Sequence, residues 1–476
     1  MLTYIKINGF KSFHNFEMEF TPFTVIAGIN ASGKSNLFDA LQLLSRLADT
    51  DNLKKAFKEQ RGEFIELFTQ YGENEYAHEI EFCVEMLVNK TIKDAWGNEK
   101  ELKYTRLRYE LTIKRFTNSS GMGDLSVIAE NLTHLTPRVD KWIENNENKK
   151  LIKEFLPKVP AGNRRNIEYI YTEMDNEIPT VFIPQDGTQG GGKRRFPLNN
   201  AARTVLSSID TVDFCHILAA KEEMKSWKFL ELNPEYLRQP TNKNTGEDVL
   251  SQSGKNLAAV LYRIKQDDAY TLKEISRKLQ TFLPDFIEVQ VVDDTENKQY
   301  LIKLKDKYKK EYTSRVLSEG TLRILALCIL KYDDKYTGLL CFEEPENGIH
   351  PFRIGAMAEL LKDLSVDFTD TEMLLRQVIV NTHSPVLVGN ILEKYIDDKN
   401  VSIYLSQMVS GVATIANQRV NMDKTTMISP FKGYNGQAYN GLFSEQEIEA
   451  KRKYALLNVK KYLETNEFDE LKAKLQ

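Results

Sequence analysis

The sequence predicts an α/β fold organised around a mixed sheet with a phosphate-loop core. Three observations carry that expectation. Short alternating strands, expected to pair antiparallel, open the chain. Residues 23–47 then pass from an apolar strand-like run through a glycine-bearing loop into a helix-like repeat. Two later apolar runs, at 338–343 and 378–382, end in the polar side chains that phosphate chemistry uses.

The elements follow in order. Tyr4–Ile7 and Phe16–Phe20 alternate, and Phe23–Ala27 is continuously apolar, as a buried strand is. Gly28-Ile29-Asn30-Ala31-Ser32-Gly33-Lys34-Ser35 has the spacing G-x-x-x-x-G-K-[ST] between a strand and a helix. Its glycines let successive N–H groups converge on an anion, and the helix that follows adds its positive dipole end. Lys34 is expected to reach the β- and γ-phosphates, and the Ser35 hydroxyl to ligate Mg²⁺. The helix carries Leu37, Ala40, Leu41, Leu44 and Leu47 on one face and fades at residues 49–51. A short helix, a strand at His78–Met86 and a strand region clearest at Leu107–Ile113 come next. From 117 to about 200 the Lys/Glu/Asn-rich composition reads as helical stretches leading to a glycine-rich loop at 187–195. Its basic tip is either solvated or a phosphate contact. Residues 200–285 read as mainly helical, and Ile287–Val292 and Tyr300–Leu304 as strands.

A second motif group begins at Leu317-Ser318-Glu319-Gly320-Thr321-Leu322-Arg323, which opens an apolar helix. Its Ser-x-Gly turn is either a second anion site or a plain N-cap. Leu339–Phe342 is an apolar strand ending in Glu343-Glu344, followed by a turn at Pro345. Adjacent strand residues point to opposite sides, so the two carboxylates should differ in role. Glu343 is placed for the Mg²⁺ shell and Glu344 to orient or deprotonate the attacking water. Val378–Thr382 ends in His383-Ser384-Pro385, and this third strand-end polar group suits a γ-phosphate sensor.

Composition bounds the rest. At 476 residues, with 41% hydrophobic and 28% charged, the chain suits two or three soluble domains. A net charge of −4 gives no global positive field, so any nucleic-acid contact would be a local patch. Cys83, Cys215, Cys328 and Cys341 lack metal-like spacing and read as core residues of a reducing compartment. No signal peptide or membrane-length apolar run is read, so a cytoplasmic protein without a membrane partner is expected.

The I-x-I-x-G-F-K-S-F opening, the Gly28–Asn36 loop, L-S-E-G-T-L-R, F-E-E-P-E-N-G-I-H-P and T-H-S-P together resemble the ABC-type ATPase heads of SMC, RecF and OLD proteins. The set is most similar to stand-alone RecF/OLD-like ATPases. In those, the Trp227–Arg238 and Asn256–Leu261 passages also recur between the two motif groups. The resemblance implies an ABC-ATPase head with a largely helical insert or lid and a small C-terminal extension. The expected division is 1–90 and 301–415 for the two parts of the head, 91–300 for the insert and helical lid lobe, and 416–476 for the extension. It also implies ATP with Mg²⁺, and hydrolysis at an ATP-sandwich dimer or higher homo-oligomer. Gly28, Asn30, Ser32, Gly33, Lys34, Ser35 and Asn36 of one subunit would be capped by Ser318 and Gly320 of the other. Glu344, His383 and Lys34 would act in catalysis, with Ser35 and Glu343 at the metal. Lys11 would lie near the α-phosphate or base, and Asn347 and Gly348 would couple the two sites. Gln70 is a candidate Mg²⁺-sensing glutamine without a sharp motif around it.

Two departures matter. Glu343 stands where many relatives have aspartate, and Thr321 after the signature glycine argues against a transporter subunit. OLD-type nucleases add a TOPRIM domain with a D-x-D cluster. No D-x-D follows His383 here, so the chain is not expected to cut nucleic acid. Val401–Leu405 and Ala413–Ala416 suggest a hairpin around Ser410-Gly411. Two Tyr-Asn-Gly copies follow, and then a capping box at Ser444–Glu447 opening an amphipathic helix. That helix packs on its own domain or docks a partner. The leading expectation is the sensor and scaffold ATPase of a bacterial antiphage system with a separately encoded effector. A DNA-repair or DNA-end-binding ATPase is the alternative.

Overall fold

The computed structural model describes residues 1–429 except 74, 137–138, 146–151, 157–166, 186–191, 245–248, 371–372, 396 and 416–417. The Tyr-Asn-Gly copies and the amphipathic helix expected after them lie outside the described residues.

The glycine-bearing loop leaves the middle of a six-stranded sheet. β3 (Phe23–Ala27) lies between β20 (Arg376–Thr382) and β21 (Val401–Ile415). β19 (Gly338–Glu343) and the short edge strand β14 (Lys228–Leu230) extend it beyond β20, and β22 (Gln418–Ile428) forms the other edge. The first five run parallel; β22 pairs antiparallel with β21. Parallel strands covered on both faces read as unbroken apolar runs, which is why Phe23–Ala27, Leu339–Phe342 and Val378–Val380 look alike in the sequence. Their side chains still divide by the period of two. Phe23, Val25, Ala27, Leu340, Phe342, Val378 and Val380 enter one core, while Ile26, Leu339, Cys341 and Ile379 enter another.

The first of these cores holds α8 (Glu319–Lys331), α9 (Pro351–Asp363) and α10 (Pro385–Tyr395). It continues into a lobe of α6 (Leu257–Asp267) and α7 (Ala269–Phe282) on the sheet formed by β15 (Thr241–Asn242), β16 (Phe286–Asp294), β17 (Gln299–Asp306) and β18 (Glu311–Thr313). The other core is lined by α1 (Lys34–Asp49), α2 (Leu53–Lys58) and α4 (Cys215–Lys225), and is closed by a second sheet. Beside these, α3 (Lys141–Asn145) and α5 (Pro234–Arg238) are single short turns. The pairs β4 (Gln70–Gly72) with β5 (Glu75–Tyr76) and β7 (Thr91–Lys93) with β8 (Glu99–Glu101) are small hairpins.

That second sheet departs from the expectation for residues 117–200. It has eight antiparallel strands: β13 (Lys193–Pro197), β12 (Ile178–Pro184), β11 (Glu168–Asp175), β10 (Gly123–His134), β9 (Arg106–Thr117), β6 (Glu79–Leu87), β1 (Leu2–Asn8) and β2 (Phe16–Glu19), in that spatial order. The α/β head stands, but this half of the insert is strand rather than helix. β9 pairs with β6 along nine residues, so the sheet runs unbroken across position 90. The misleading signal is composition. Half-exposed strands such as β11 and β13 carry Lys, Glu and Arg on their outer side, which imitates a polar helix. The β11–β12 turn is also unmarked: Asn176 and Glu177 take positive φ (49° and 68°) without the glycine that usually announces a two-residue hairpin.

Two local expectations change with it. Lys193, Arg194 and Arg195 form edge strand β13 rather than a loop tip, and they are engaged: Lys193 with Tyr171, Arg195 with Asp175, and Arg194 over the Phe214 ring at 4.6 Å. Ser410-Gly411 lies inside β21 opposite Asp423 and Met422, because the β21–β22 pairing continues through it to Ile415 and Gln418.

Candidate nucleotide site

The register explains why the motifs converge. β19, β20 and β3 are parallel neighbours, with Glu343 opposite Asn381 and Thr382 opposite Ala27. Their carboxyl ends therefore stand side by side, where open α/β sheets place ligands. From β3 the chain enters the loop: Gly28, Ala31 and Gly33 take φ of 152°, 62° and 89°, and Gly33 is the N-cap of α1. Ile29, Asn30 and Ala31 are exposed, whereas Ser32 and Lys34 are buried. Lys34 Nζ donates to the carbonyls of Gly28 (2.7 Å) and Ile29 (2.9 Å), curled inside its own loop. Burial lowers its pKa, opposed by the carboxylates of Glu344, Glu346 and Glu343.

β21 and β22 clamp the loop from outside. Ser406 Oγ donates to Ser32 O (2.8 Å), and a Cβ on Gly28 would sit 2.6 Å from Ser406 O. A Cβ on Gly33 would collide with the Thr425 side chain. Thr425 N donates to Ser12 O (3.0 Å), the Thr425 and Ser12 hydroxyls meet at 2.6 Å, and Asn36 Nδ2 donates to Ser12 Oγ (2.7 Å).

On the opposite side, Glu344 has φ +46°, a left-handed conformation that a side chain adopts at a cost. Its N–H donates to Asn381 O (2.8 Å). Both carboxylate oxygens are held, Oε1 by His383 Nδ1 (2.9 Å) and Oε2 by Asn347 Nδ2 (2.7 Å). Beneath it, buried Glu346 accepts from Thr382 Oγ1 (2.5 Å), and burial raises its pKa despite that bond. Thr382 Oγ1 accepts from Ser384 N (2.9 Å), so Glu346 braces the turn that carries His383. Glu343 meets Arg61 Nη2 at 3.1 Å. Arg61 Nε and Lys11 Nζ both reach buried Asp39 of α1, at 3.1 and 2.7 Å.

Ser318 and Gly320 open α8 on the same chain. The Ser318 hydroxyl accepts from Thr321 N (3.3 Å), and Ser318 is exposed. Gly320 is buried where a Cβ would lie 2.5 Å from Gly348 O, so this turn and the Asn347–Gly348 turn pack directly together. Gln70 donates to Gly72 O (3.0 Å). It lines a cleft of about 680 Å³ with Lys11, Ser12, Arg61 and Asp423, and its described bonds reach neither Ser35 nor Glu343.

The donor set fits a phosphate and a divalent cation. Ser32 Oγ, Asn381 Oδ1 and Glu346 Oε2 are buried without hydrogen-bond partners, and Asn381 Nδ2 is 3.3 Å from Ser35 Oγ. Orphaned polar atoms around a glycine cradle are what a bound polar ligand would satisfy. No group of three or more His, Cys, Asp or Glu side chains among the described residues could hold a metal by itself. A cation here would take Ser35 and Glu343 and complete its shell with phosphate oxygens and water, the habit of Mg²⁺.

Asp39, Arg61, Glu346, Asn381 and Thr425 are absent from the sequence expectation. Glu346 and Asn381 adjoin motif residues and could have been suspected from position. Arg61, Asp39 and Thr425 carry no local signal, because only the fold brings them in.

A family model described as "AAA domain, putative AbiEii toxin, Type IV TA system" matches residues 23–389, from the first residue of β3 to beyond His383. The chain belongs to this family. The AAA family assignment makes it an ATPase by type, in agreement with the head expected from the motifs. No curated protein matches the chain. Among solved structures, an SMC head domain from Thermotoga maritima is similar at 10% identity over 90% of this chain and 98% of that one, with a TM-score of 0.36. An SmcHead bound to the C-winged helix domain of ScpA gives 13%, 90%, 98% and 0.44. An Smc head with an extended coiled coil, bound to a ScpA C-terminal domain derived from Pyrococcus furiosus, gives 12%, 90%, 96% and 0.39. No helix among the described residues is long and apolar enough to cross a membrane.

Proposed function

We propose that this AAA-family chain binds ATP with Mg²⁺ at Gly28–Ser35 and hydrolyses it in an ATP-sandwich dimer. The carrying observation is the arrival of Lys34, Glu343-Glu344 and His383 at adjacent ends of three parallel strands. Lys34 neutralises the phosphates beside the Gly28, Asn30, Ser32, Gly33 and Asn36 cradle. Ser35 and Glu343 would hold Mg²⁺, which would screen phosphate charge. Glu344 Oε1 takes the proton of the attacking water, and His383 holds that carboxylate in place through the 2.9 Å contact. Asn347 on the other oxygen ties the base to the turn that packs on Gly320, so catalysis and the signature turn are mechanically joined.

Ser318 and Gly320 act on the second subunit's phosphates. Exposed Ile29 (70%), Val316 (69%) and Phe352 (77%) support this, because they flank the phosphate loop, the signature turn and the His350 turn, where a second copy would cover them. Glu344→Gln should bind ATP, hydrolyse slowly and accumulate dimer. Light scattering that finds only monomer with ATP and this variant would overturn the sandwich.

The wider role we favour is an antiphage sensor and scaffold ATPase controlling a separate effector. The matched family's own description names a toxin of a toxin–antitoxin system, which supports a defence setting. Purification from the native operon should then recover a stoichiometric second protein; a chain protective when expressed alone would refute the scaffold role.

A further inference from the structure

Arg61 is held at two points. Its Nε meets Asp39 Oδ1 and its Nη2 meets Glu343 Oε1, both at 3.1 Å, while its carbonyl accepts from Lys11 Nζ (3.1 Å). The two carboxylates differ in setting. Asp39 is buried on α1 and bound by Lys11 as well, so it anchors the guanidinium. The Glu343 side chain is 26% exposed and the Arg61 side chain 64%, so this end of the bridge faces solvent and can open. The pair spans two sequence-distant elements, the 59–62 turn and the end of β19.

Glu343 is the carboxylate that holds Mg²⁺ in the proposed function, and the role of Arg61 rests on that assignment. Arg61 on Glu343 Oε1 and a divalent cation on the same carboxylate would stand within a few ångströms of each other, and two cations that close repel. We infer that Arg61 is a resident counter-cation for Glu343: it holds the carboxylate at the end of β19 before nucleotide arrives and competes with the metal for its charge. Arg61 is thus a positioning residue that raises the metal concentration at which the site loads. Because the Arg61 end of the bridge is exposed, the handicap is modest. An exposed ion pair of this kind corresponds to about a two- to fivefold change in an equilibrium constant.

The test measures metal affinity rather than turnover. Mn²⁺ is titrated into the full-length chain saturated with a non-hydrolysable ATP analogue, and free Mn²⁺ is read by electron paramagnetic resonance. Arg61→Gln should tighten Mn²⁺ binding about two- to fivefold, and Arg61→Lys, which keeps the charge, should remain close to wild type. In a Glu343→Gln background, Arg61→Gln should have no further effect. Asp39→Asn, which loosens the anchor, should shift affinity in the same direction as Arg61→Gln. The inference is overturned if Arg61→Gln leaves Mn²⁺ affinity unchanged or weakens it, or if its effect survives in Glu343→Gln. It is equally overturned if Arg61→Gln acts by weakening ATP binding in the presence of EDTA, since Arg61 would then be a phosphate ligand. If Glu343→Gln alone leaves Mn²⁺ affinity at the wild-type value, the metal role of Glu343 fails and takes this inference with it. A null result confined to Arg61 variants fails the inference alone.

Discussion

Gly33→Ala strikes the loop where β22 closes on it. Gly33 has φ +89°, and moving a residue with a Cβ into that region costs about 1–2 kcal/mol. The added methyl would also meet Thr425, with its hydroxyl closest and its Cβ and Cγ2 each at 2.9 Å. Thr425 cannot easily retreat: it is 1% exposed, its N–H bonds Ser12 O at 3.0 Å, and its hydroxyl lies 2.6 Å from Ser12 Oγ. Overpacking of this kind adds about 1–3 kcal/mol, so the total is about 2–5 kcal/mol in an element that must keep its shape to bind anything. Urea unfolding and binding of a fluorescent ATP analogue, measured together, give the two readouts. The diagnostic is the cycle with Thr425→Ala. Alone, that change costs about 1 kcal/mol for the lost hydroxyl contacts. In combination it removes two of the three clashing atoms and should recover about 1–3 kcal/mol of the Gly33→Ala loss. Strictly additive costs, or a Gly33→Ala protein as stable as wild type, would refute the claim that β22 sets the shape of the phosphate loop.

Lys34→Ala should abolish ATP binding by calorimetry while leaving urea stability within about 1 kcal/mol, because Lys34 is buried at a desolvation cost and holds only loop carbonyls; retained ATP affinity would remove the phosphate-loop assignment. Glu346→Gln keeps an acceptor for Thr382 without a buried carboxylate whose pKa is already raised, so stability should hold or rise. Glu346→Ala should instead destabilise and lower turnover by loosening the His383 turn, and equal behaviour of the two variants would argue against the brace. Glu130 offers a pH test. Burial raises it from 4.5 to about 7, although it accepts from Val205 N, Leu206 N and Tyr109 OH. The folded state thus keeps a proton that the unfolded state loses, and the stability contributed is full below pH 4.5 and lost as pH rises to 7. The difference is at most on the order of 3 kcal/mol, and Glu130→Gln should flatten that part of the urea–pH profile.

The parts of the site that could be read in advance share one property: their chemistry is written locally. The Gly28–Ser35 spacing, the Glu343-Glu344 pair and the His383 turn each sit where a strand pattern ends, so residue type and position together announce them. Their convergence needs only that three apolar runs be parallel neighbours, and the register bears this out. What stays hidden depends on pairings far apart in the chain. Thr425 reaches Gly33 because β22 adds to β21, which adds to β3, and nothing near Thr425 in the sequence marks that approach. Residues 117–200 mislead because a half-exposed antiparallel strand and a polar helix share a composition, and the deciding turn at Asn176-Glu177 lacks glycine. Arg61 is the sharpest case. A lone arginine after a short helix is by default a solvated one, and only Asp39 below and Glu343 opposite make it part of the site. The carboxylates are legible because they close a strand pattern as an adjacent pair before a turn; the cation that balances one of them is not, because electrostatic neutrality constrains a place in space and not a position in the chain.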